Sequence, residues 1–364
     1  MQDKKDTCYI RRCIELAAKA AGHTSPNPMV GALIVCNGQV ISEGYHRACG
    51  EPHAEAVVIN AVKDKELLKD STLYVNLEPC CHQGRTPPCS ELIIKSGIKS
   101  VIIGAADNNP EVAGRGIESL KEHNINVICG VLEEECKYFN RRFYLFNSLK
   151  RPYIILKWAE TADGFIARED YSSKWISSQQ SRKLVHHWRL QESAVMVGTN
   201  TAFYDNPELT VRHIPAVRQP LRIVLDRTLR LNDQLKLLND PYETIIVNEQ
   251  LEKISGSKQY TKIKFDENLL ENLLGDLYRR KILSLLVEGG SRLLNTFISK
   301  NLWDEARIFK APKTFESGLD APLINEQPVV IKDIAGDSLK LIFNPLSTRE
   351  FLPERHAPDD TLIF

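Results

Sequence analysis

The chain has 364 residues, more than one domain of ordinary size needs, and 43% of them are hydrophobic, enough for two cores. Lys plus Arg and Asp plus Glu both number 47, so the formal charge is zero, which argues against a nucleic-acid partner, because phosphate backbones select a cationic surface. Nine cysteines, odd in number and irregular in spacing, argue against a disulfide framework and fit the reduced thiols of a cytoplasmic enzyme.

The first twenty residues, MQDKKDTCYIRRCIELAAKA, lack the apolar core of a signal peptide. No apolar segment approaches the ~20 residues that span a bilayer, so no membrane partner is expected. Ile10, Cys13, Ile14, Ala17 and Ala21 recur at helical spacing and predict an amphipathic first helix. Residues 30–45 place two apolar runs around Asn37-Gly38, a hairpin signature. A helix carrying Ala56, Val57, Ile59 and Val62 follows, then a strand over 71–77, a short helix over 90–96 ending at Gly97, and strands at 100–105 and near 125–131. A hairpin followed by alternating helices and strands implies a mostly parallel sheet covered by helices. Residues 132–150 read as helical, and Arg151-Pro152 breaks the pattern, so the boundary between domains 1–150 and 151–364 is placed there. The second series has strands at 153–159, 194–198, 221–226, 243–247 and 282–287, with helices at 177–190, 267–280 and 291–300. The last fifty residues offer short strand-like runs, Pro328 to Ile331 and Leu339 to Phe343.

The chemistry-bearing motif is Pro52-His53-Ala54-Glu55 with Glu78-Pro79-Cys80-Cys81-His82 and, beyond a proline-rich loop, Cys89. Zinc binds imidazole nitrogen and thiolate sulfur tetrahedrally, and a catalytic zinc keeps one position open for water; His53, Cys80 and Cys89 leave that position open. The metal brings the pKa of the bound water near neutrality. Glu55, two residues after the His and at the start of a helix, is placed to shuttle protons from water to a leaving amine. Cys89 opens a predicted helix whose free N–H groups favour thiolate. Cys81 and His82 are alternative ligands; Cys81 reads better as packing and His82 as a substrate contact. The other six cysteines read as structural.

His-x-Glu with Pro-Cys…Cys is the signature of zinc nucleobase deaminases, in which the cysteines usually stand two residues apart; here eight residues separate them. That long stretch resembles the riboflavin-pathway deaminase. So do Ser25-Pro26-Asn27-Pro28-Met29-Val30-Gly31, Gly44-Tyr45-His46, Leu77-Glu78-Pro79-Cys80, and Asn109-Pro110 with Gly114-Arg115-Gly116. The resemblance implies a cytidine-deaminase-like three-layer αβα domain. It also implies a phosphorylated diamino-pyrimidinone substrate and a pocket lined by Asn27, His46, His82 and Arg85. Asp107-Asn108-Asn109-Pro110 departs from the family's Asp-Pro-Asn-Pro.

In the second half, strand 282–287 runs through Glu288-Gly289-Gly290-Ser291 into a helix, a geometry that cradles anions on free N–H groups, with Arg292 adding charge. No Gly-x-Gly-x-x-Gly supports a Rossmann site. Four segments resemble the riboflavin-pathway reductase: Lys157 to Gly164, Ser173-Lys174-Trp175-Ile176, Asp205 to Arg212, and Val287-Glu288-Gly289-Gly290, with Arg189 between them. The family's Ser-Leu-Asp-Gly stands here as Thr161-Ala162-Asp163-Gly164. The resemblance implies a dihydrofolate-reductase-like α/β domain and NADPH as hydride donor. It implies cofactor contacts at Ala159, Trp175, Thr201, Asp205, Gly290, Ser291, Arg292, Leu293, Leu294, Asn295 and Thr296. Substrate contacts fall at Lys157, Ser173, Arg189, Leu209, Arg212 and Glu288; the two arginines suit a phosphate. Asp205 and Glu288 are candidates for the proton source.

The leading expectation is therefore a bifunctional enzyme, with one zinc per chain and NADPH, acting in two steps on a small phosphorylated pyrimidine, and resemblance suggests a homo-oligomer. A nucleic-acid base deaminase with a C-terminal binding domain is the competing reading. A non-catalytic module with structural zinc is the third, and it requires Cys81 or His82 as a fourth ligand.

Overall fold

The computed structural model describes residues 4–81, 87–110, 112–173, 176–216 and 218–351. The chain divides into two compact units, one running to Leu149 and including Phe351, the other Lys150–Glu350. No disulfide joins any of the nine cysteines, and among the described residues no helix is long and apolar enough to cross a membrane.

In the first unit Asn37 and Gly38 take φ of 50° and 78°, as a two-residue turn demands, and join β1 (Gly31–Cys36) to β2 (Gln39–Tyr45). Three more strands, β3 (Ser71–Leu77), β4 (Ser100–Ala105) and β5 (Asn126–Cys129), complete a sheet in the order β2-β1-β3-β4-β5. β3, β4 and β5 run parallel, and β1 is antiparallel to its neighbours. The helices are α1 (Lys4–Ala18), α2 (Ala54–Ala61), α3 (Cys89–Ser96), α4 (Arg115–Glu122), α5 (Glu133–Phe139) and α6 (Arg141–Leu149). Strand alternation sorts the core into two faces. Ala32, Ile34, Leu73, Val75, Val101 and Ile103 pack with Val58, Ile93 and Leu120 of α2, α3 and α4. On the opposite face α1 packs against β1 and β3 through Ile10, Cys13, Ile14 and Ala17, and α5 reaches β4. This is the expected three-layer αβα arrangement. Ala21 lies in the turn past α1, outside the helix.

The second unit carries β6 (Tyr153–Glu160), β7 (Phe165–Ala167), α7 (Gln179–Gln191), β8 (Ala194–Val197), α8 (Thr199–Asp205), β9 (Leu221–Leu225), β10 (Thr244–Asn248), β11 (Lys253–Ser255) and β12 (Lys258–Lys262). Then follow α9 (Leu269–Arg279), β13 (Ser284–Val287), α10 (Ser291–Ser299), β14 (Glu305–Lys310), β15 (Leu319–Asp320), β16 (Val330–Ile334), β17 (Asp337–Phe343) and α11 (Pro345–Thr348). Ten strands form one sheet in the order β11-β12-β10-β9-β8-β13-β6-β14-β17-β16, parallel from β12 through β14. α9 and α10 bury Leu270, Leu273, Leu277, Leu294 and Phe297 against Ile154, Leu156, Leu285 and Val287 on one face. On the other, α7 stacks Trp188 on Phe309 of β14, ring centroids 5.4 Å apart.

Candidate functional sites

β3 ends where Pro79 begins the turn that carries Cys80, and α2 starts at Ala54 with His53 as its N-cap. α3 opens on Cys89 itself. These three element ends meet: Cys80 Sγ lies 3.5 Å and Cys89 Sγ 3.4 Å from His53 Nδ1, and all three ligand atoms fall within 4.8 Å of one another. Tetrahedral zinc with bonds of about 2.3 Å to sulfur and 2.0–2.1 Å to nitrogen sets an N···S edge of about 3.5 Å, so the donor set fits the metal without rearrangement. Cys81 is outside this cluster, which leaves three candidate ligands among the described residues. Hydrogen bonds from the Cys89 thiol and backbone N–H and from His53 pull the Cys80 thiol well down, while the hydrogen bond to Cys80 and burial push Cys89 up. Glu55, 3% exposed in the first turn of α2, is hydrogen-bonded to Cys89. Burial, reinforced by the Cys80 charge, pushes its carboxyl up to about 7; a bound divalent cation would draw it back down.

Two expected pocket residues adjoin the cluster. His46 Nδ1 meets the Pro52 carbonyl at 3.1 Å and its Nε2 meets Asn27 Nδ2 at 3.2 Å, so the ring carries its hydrogen on Nδ1 and accepts from Asn27. Burial pushes the His46 pKa down, and its ring stands edge-on to His53 at 5.3 Å. His82 and Arg85 lie outside the described residues. Sequence reasoning passed over Glu78, which the motif displays beside Pro79-Cys80. Its buried carboxylate accepts from the N–H groups of Asp107, Gly114, Gly116 and Ile117 at 2.9–3.2 Å, tying the cysteine turn to the N-terminus of α4. A Cβ on Gly116 would stand 2.1 Å from the Pro79 carbonyl, so only glycine permits this approach.

In the second unit the adjacent strands β8, β13 and β6 present their carboxyl ends side by side, the usual place for a ligand in an open parallel sheet. β13 delivers Glu288, β6 delivers Lys157 and Ala159, and α8 follows β8 with Thr201 and Asp205. Arg189 of α7 forks onto Glu288 with Nε–Oε1 of 2.6 Å and Nη2–Oε2 of 2.9 Å, and Lys157 Nζ stands 3.9 Å from Oε2. Burial pushes the Glu288 carboxyl up, but Arg189 and Lys157 outweigh it and hold the group at about 2. Glu288 is thus ionised at neutral pH and is no proton donor. Ser173 Oγ donates to Asp205 Oδ1 at 2.8 Å. Arg212, exposed, is propped by Glu208 and Thr210 at 3.1 Å each. The Gly289-Gly290 turn runs into α10 as expected; a Cβ on Gly289 would lie 2.7 Å from Val197 Cα, and one on Gly290 would lie 3.1 Å from Thr201 Oγ1. Ser291, Arg292, Asn295 and Thr296 are accessible, whereas Leu293 and Leu294 turn their side chains into the core, leaving only their backbone for a ligand. Leu209 is likewise buried. Trp175 lies outside the described residues.

Comparison with known proteins bears on both units. Residues 3–105 match the cytidine and deoxycytidylate deaminase zinc-binding region, and residues 152–333 match the RibD C-terminal domain. The riboflavin biosynthesis protein RibD of Aquifex aeolicus is 43% identical over 86% of this chain and 89% of its own length. RibD of Actinobacillus pleuropneumoniae is 44% identical over 85% and 84%. The crystal structure of a diaminohydroxyphosphoribosylaminopyrimidine deaminase/5-amino-6-(5-phosphoribosylamino)uracil reductase from Thermotoga maritima superposes with a TM-score of 0.83, at 38% identity, over 93% of this chain and 98% of that one. The first unit is cytidine-deaminase-like and the second dihydrofolate-reductase-like, and the cofactors are zinc and NADPH. The chain belongs to the RibD family, the bifunctional deaminase/reductases of riboflavin biosynthesis.

Proposed function

We propose that residues 1–150 remove an amine hydrolytically from 2,5-diamino-6-ribosylamino-4(3H)-pyrimidinone 5′-phosphate and that residues 151–364 reduce the ribosyl group of the product to ribityl. The observation that carries the first step is the His53–Cys80–Cys89 cluster with Glu55 buried against it. Zinc in that cluster would supply a water of near-neutral pKa at its open position. Glu55 takes a proton from the attacking water and returns one to the departing amine, a role suited to a buried carboxyl held against the cluster. Asn27 and His46 orient the ring, with His82 and Arg85 completing the pocket.

The second step adds a hydride to the sugar carbon, which NADPH would supply when bound, and a proton to the ring oxygen that is released. Protein groups align the two reactants and exclude water. Ala159, Trp175, Thr201, Asp205 and the backbone from Gly290 to Thr296 hold the cofactor. Lys157, Ser173, Leu209 and Glu288 hold the sugar, and Arg189 and Arg212 take the phosphate. The chain works in the cytoplasm as a homo-oligomer. A nucleic-acid substrate is disfavoured by the zero net charge.

Incubating purified chain with the diamino substrate, zinc and NADPH tests this. Ammonia release should match NADPH oxidation one for one, and a chelator should stop the ammonia. Turnover of neither step, or ammonia release indifferent to zinc, would overturn the proposal.

A further inference from the structure

The stretch Glu208 to Arg212 carries two proposed substrate contacts, Leu209 and Arg212, yet belongs to no helix or strand, and Leu209 takes a φ of 55°. Side chains, not a ladder, meet its backbone. Arg222 Nη1 donates to the Glu208 carbonyl at 2.9 Å and Arg189 Nη1 to that of Thr210 at 3.1 Å. Gln219 brackets Val211: its Oε1 accepts from the N–H at 2.6 Å and its Nε2 donates to the carbonyl at 3.2 Å. His186, one turn before Arg189 on α7, accepts the Arg212 N–H at Nδ1, 3.2 Å away. Arg189 and Arg222 also hold carboxylates, Glu288 and Asp240. The side chains of His186 and Gln219 make no other hydrogen bond among the described residues.

We propose that His186 and Gln219 are positioning residues that hold the backbone of Val211-Arg212 so that the Arg212 guanidinium meets the substrate phosphate beside Arg189. This rests on the reading of Arg212 as a phosphate ligand. The chemistry of the donor settles the state of the ring. A backbone N–H gives its hydrogen to a lone pair, so His186 Nδ1 is bare and the hydrogen sits on Nε2. The groups that face the ring are Arg189, Arg212, His213 edge-on at 4.5 Å, and Glu288, which is neutralised by its own fork with Arg189. Burial, aided by the cations among them, keeps the ring neutral. An extended loop whose polar groups are individually tied has little freedom to swing, and a guanidinium so presented loses less entropy when phosphate arrives.

The test uses full-length, zinc-loaded protein and steady-state reduction of the deaminated intermediate. His186→Leu keeps volume and removes the acceptor; Gln219→Leu removes both Val211 bonds. Each should raise KM for the phosphorylated intermediate by about tenfold, as losing the partner of a part-buried N–H implies. In both, kcat, KM for NADPH and ammonia release should stay within about twofold of the parent, since only ground-state and transition-state binding of one group is lost. His186→Asn, whose Oδ1 stands as many bonds from Cα as Nδ1 does, should recover most of the loss. An unchanged KM in both leucine variants, no recovery in His186→Asn, or a parallel fall in kcat and NADPH affinity would overturn the proposal. Arg212→Ala separates the two levels. A raised KM in Arg212→Ala alone refutes the positioning role and keeps the phosphate reading; a normal KM there refutes the phosphate reading and the proposal with it.

Discussion

Glu288 sits among Arg189, Lys157 and the end of β13, and its ionisation is maintained by those two cations against burial. Removing it would leave both cations facing each other in a mostly buried cleft. We expect Glu288→Gln to destabilise the second unit by about 3 kcal/mol, a fall in Tm of roughly 6–12 °C in thermal unfolding. A variant melting with the parent would show that the fork contributes nothing to folding. The same carboxyl has a folded pKa below its ordinary value, so its contribution is fully present above about pH 4.3 and is lost as pH falls through about 2. His186 acts higher on the scale. Burial, with Arg189 and Arg212, brings its pKa down to about 3, so the unfolded chain takes up a proton that the folded chain refuses. Stability tied to this ring is present above about pH 6.5 and declines as pH falls towards 3. Denaturant midpoints measured from pH 7 to pH 4 should fall more steeply for the parent than for His186→Asn; parallel slopes would contradict the assignment.

Element ends do the positioning in both units, and glycine makes two of the approaches possible. Gly116 lets α4 close on the Pro79 carbonyl, and Gly289 lets β13 turn against Val197 and Gly198. Alanine at either position meets backbone atoms that cannot yield cheaply, and overpacking of this kind costs about 1–3 kcal/mol. The two losses should separate by function. Gly116→Ala should lower zinc content and ammonia release while sparing the reductase, and Gly289→Ala should raise KM for NADPH while sparing ammonia release; crossed or common effects would refute this division. Most elements were legible because periodicity and turn chemistry agreed, as at Asn37-Gly38 and over Ser71–Leu77. β14 was not. Its sequence EARIFK shows three charges, and it is buried because Arg307 Nε bonds Glu305 at 2.6 Å, Tyr153 donates its hydroxyl to Glu305 at 2.9 Å, and the guanidinium stacks 4.6 Å over Trp188. Tyr153 and Trp188, so distant in sequence, leave no periodic trace in the strand itself. α8 (TNTAFYD) escaped for another reason, since its residues favour turns and strands over helix.

Across the whole molecule, two chemistries sit on two separately cored units of one chain. The clustering of His53, Cys80 and Cys89, the proposed ligands, was readable from the motif because each residue stands at the end of a short, strongly patterned element. The supports Glu78, His186 and Gln219 were not, because each acts on the backbone of a distant or irregular segment. In the proposed mechanism Glu55 moves protons for the first step only, and the two steps are chemically independent. Glu55→Gln keeps size and removes the basic carboxylate. Full-length Glu55→Gln should hold one zinc per chain and reduce the deaminated intermediate with NADPH at the parental rate. Its ammonia release should fall by at least about a hundredfold, the usual scale of general acid–base assistance. Ammonia release near the parental rate with zinc bound, or loss of both steps together, would refute that role for Glu55.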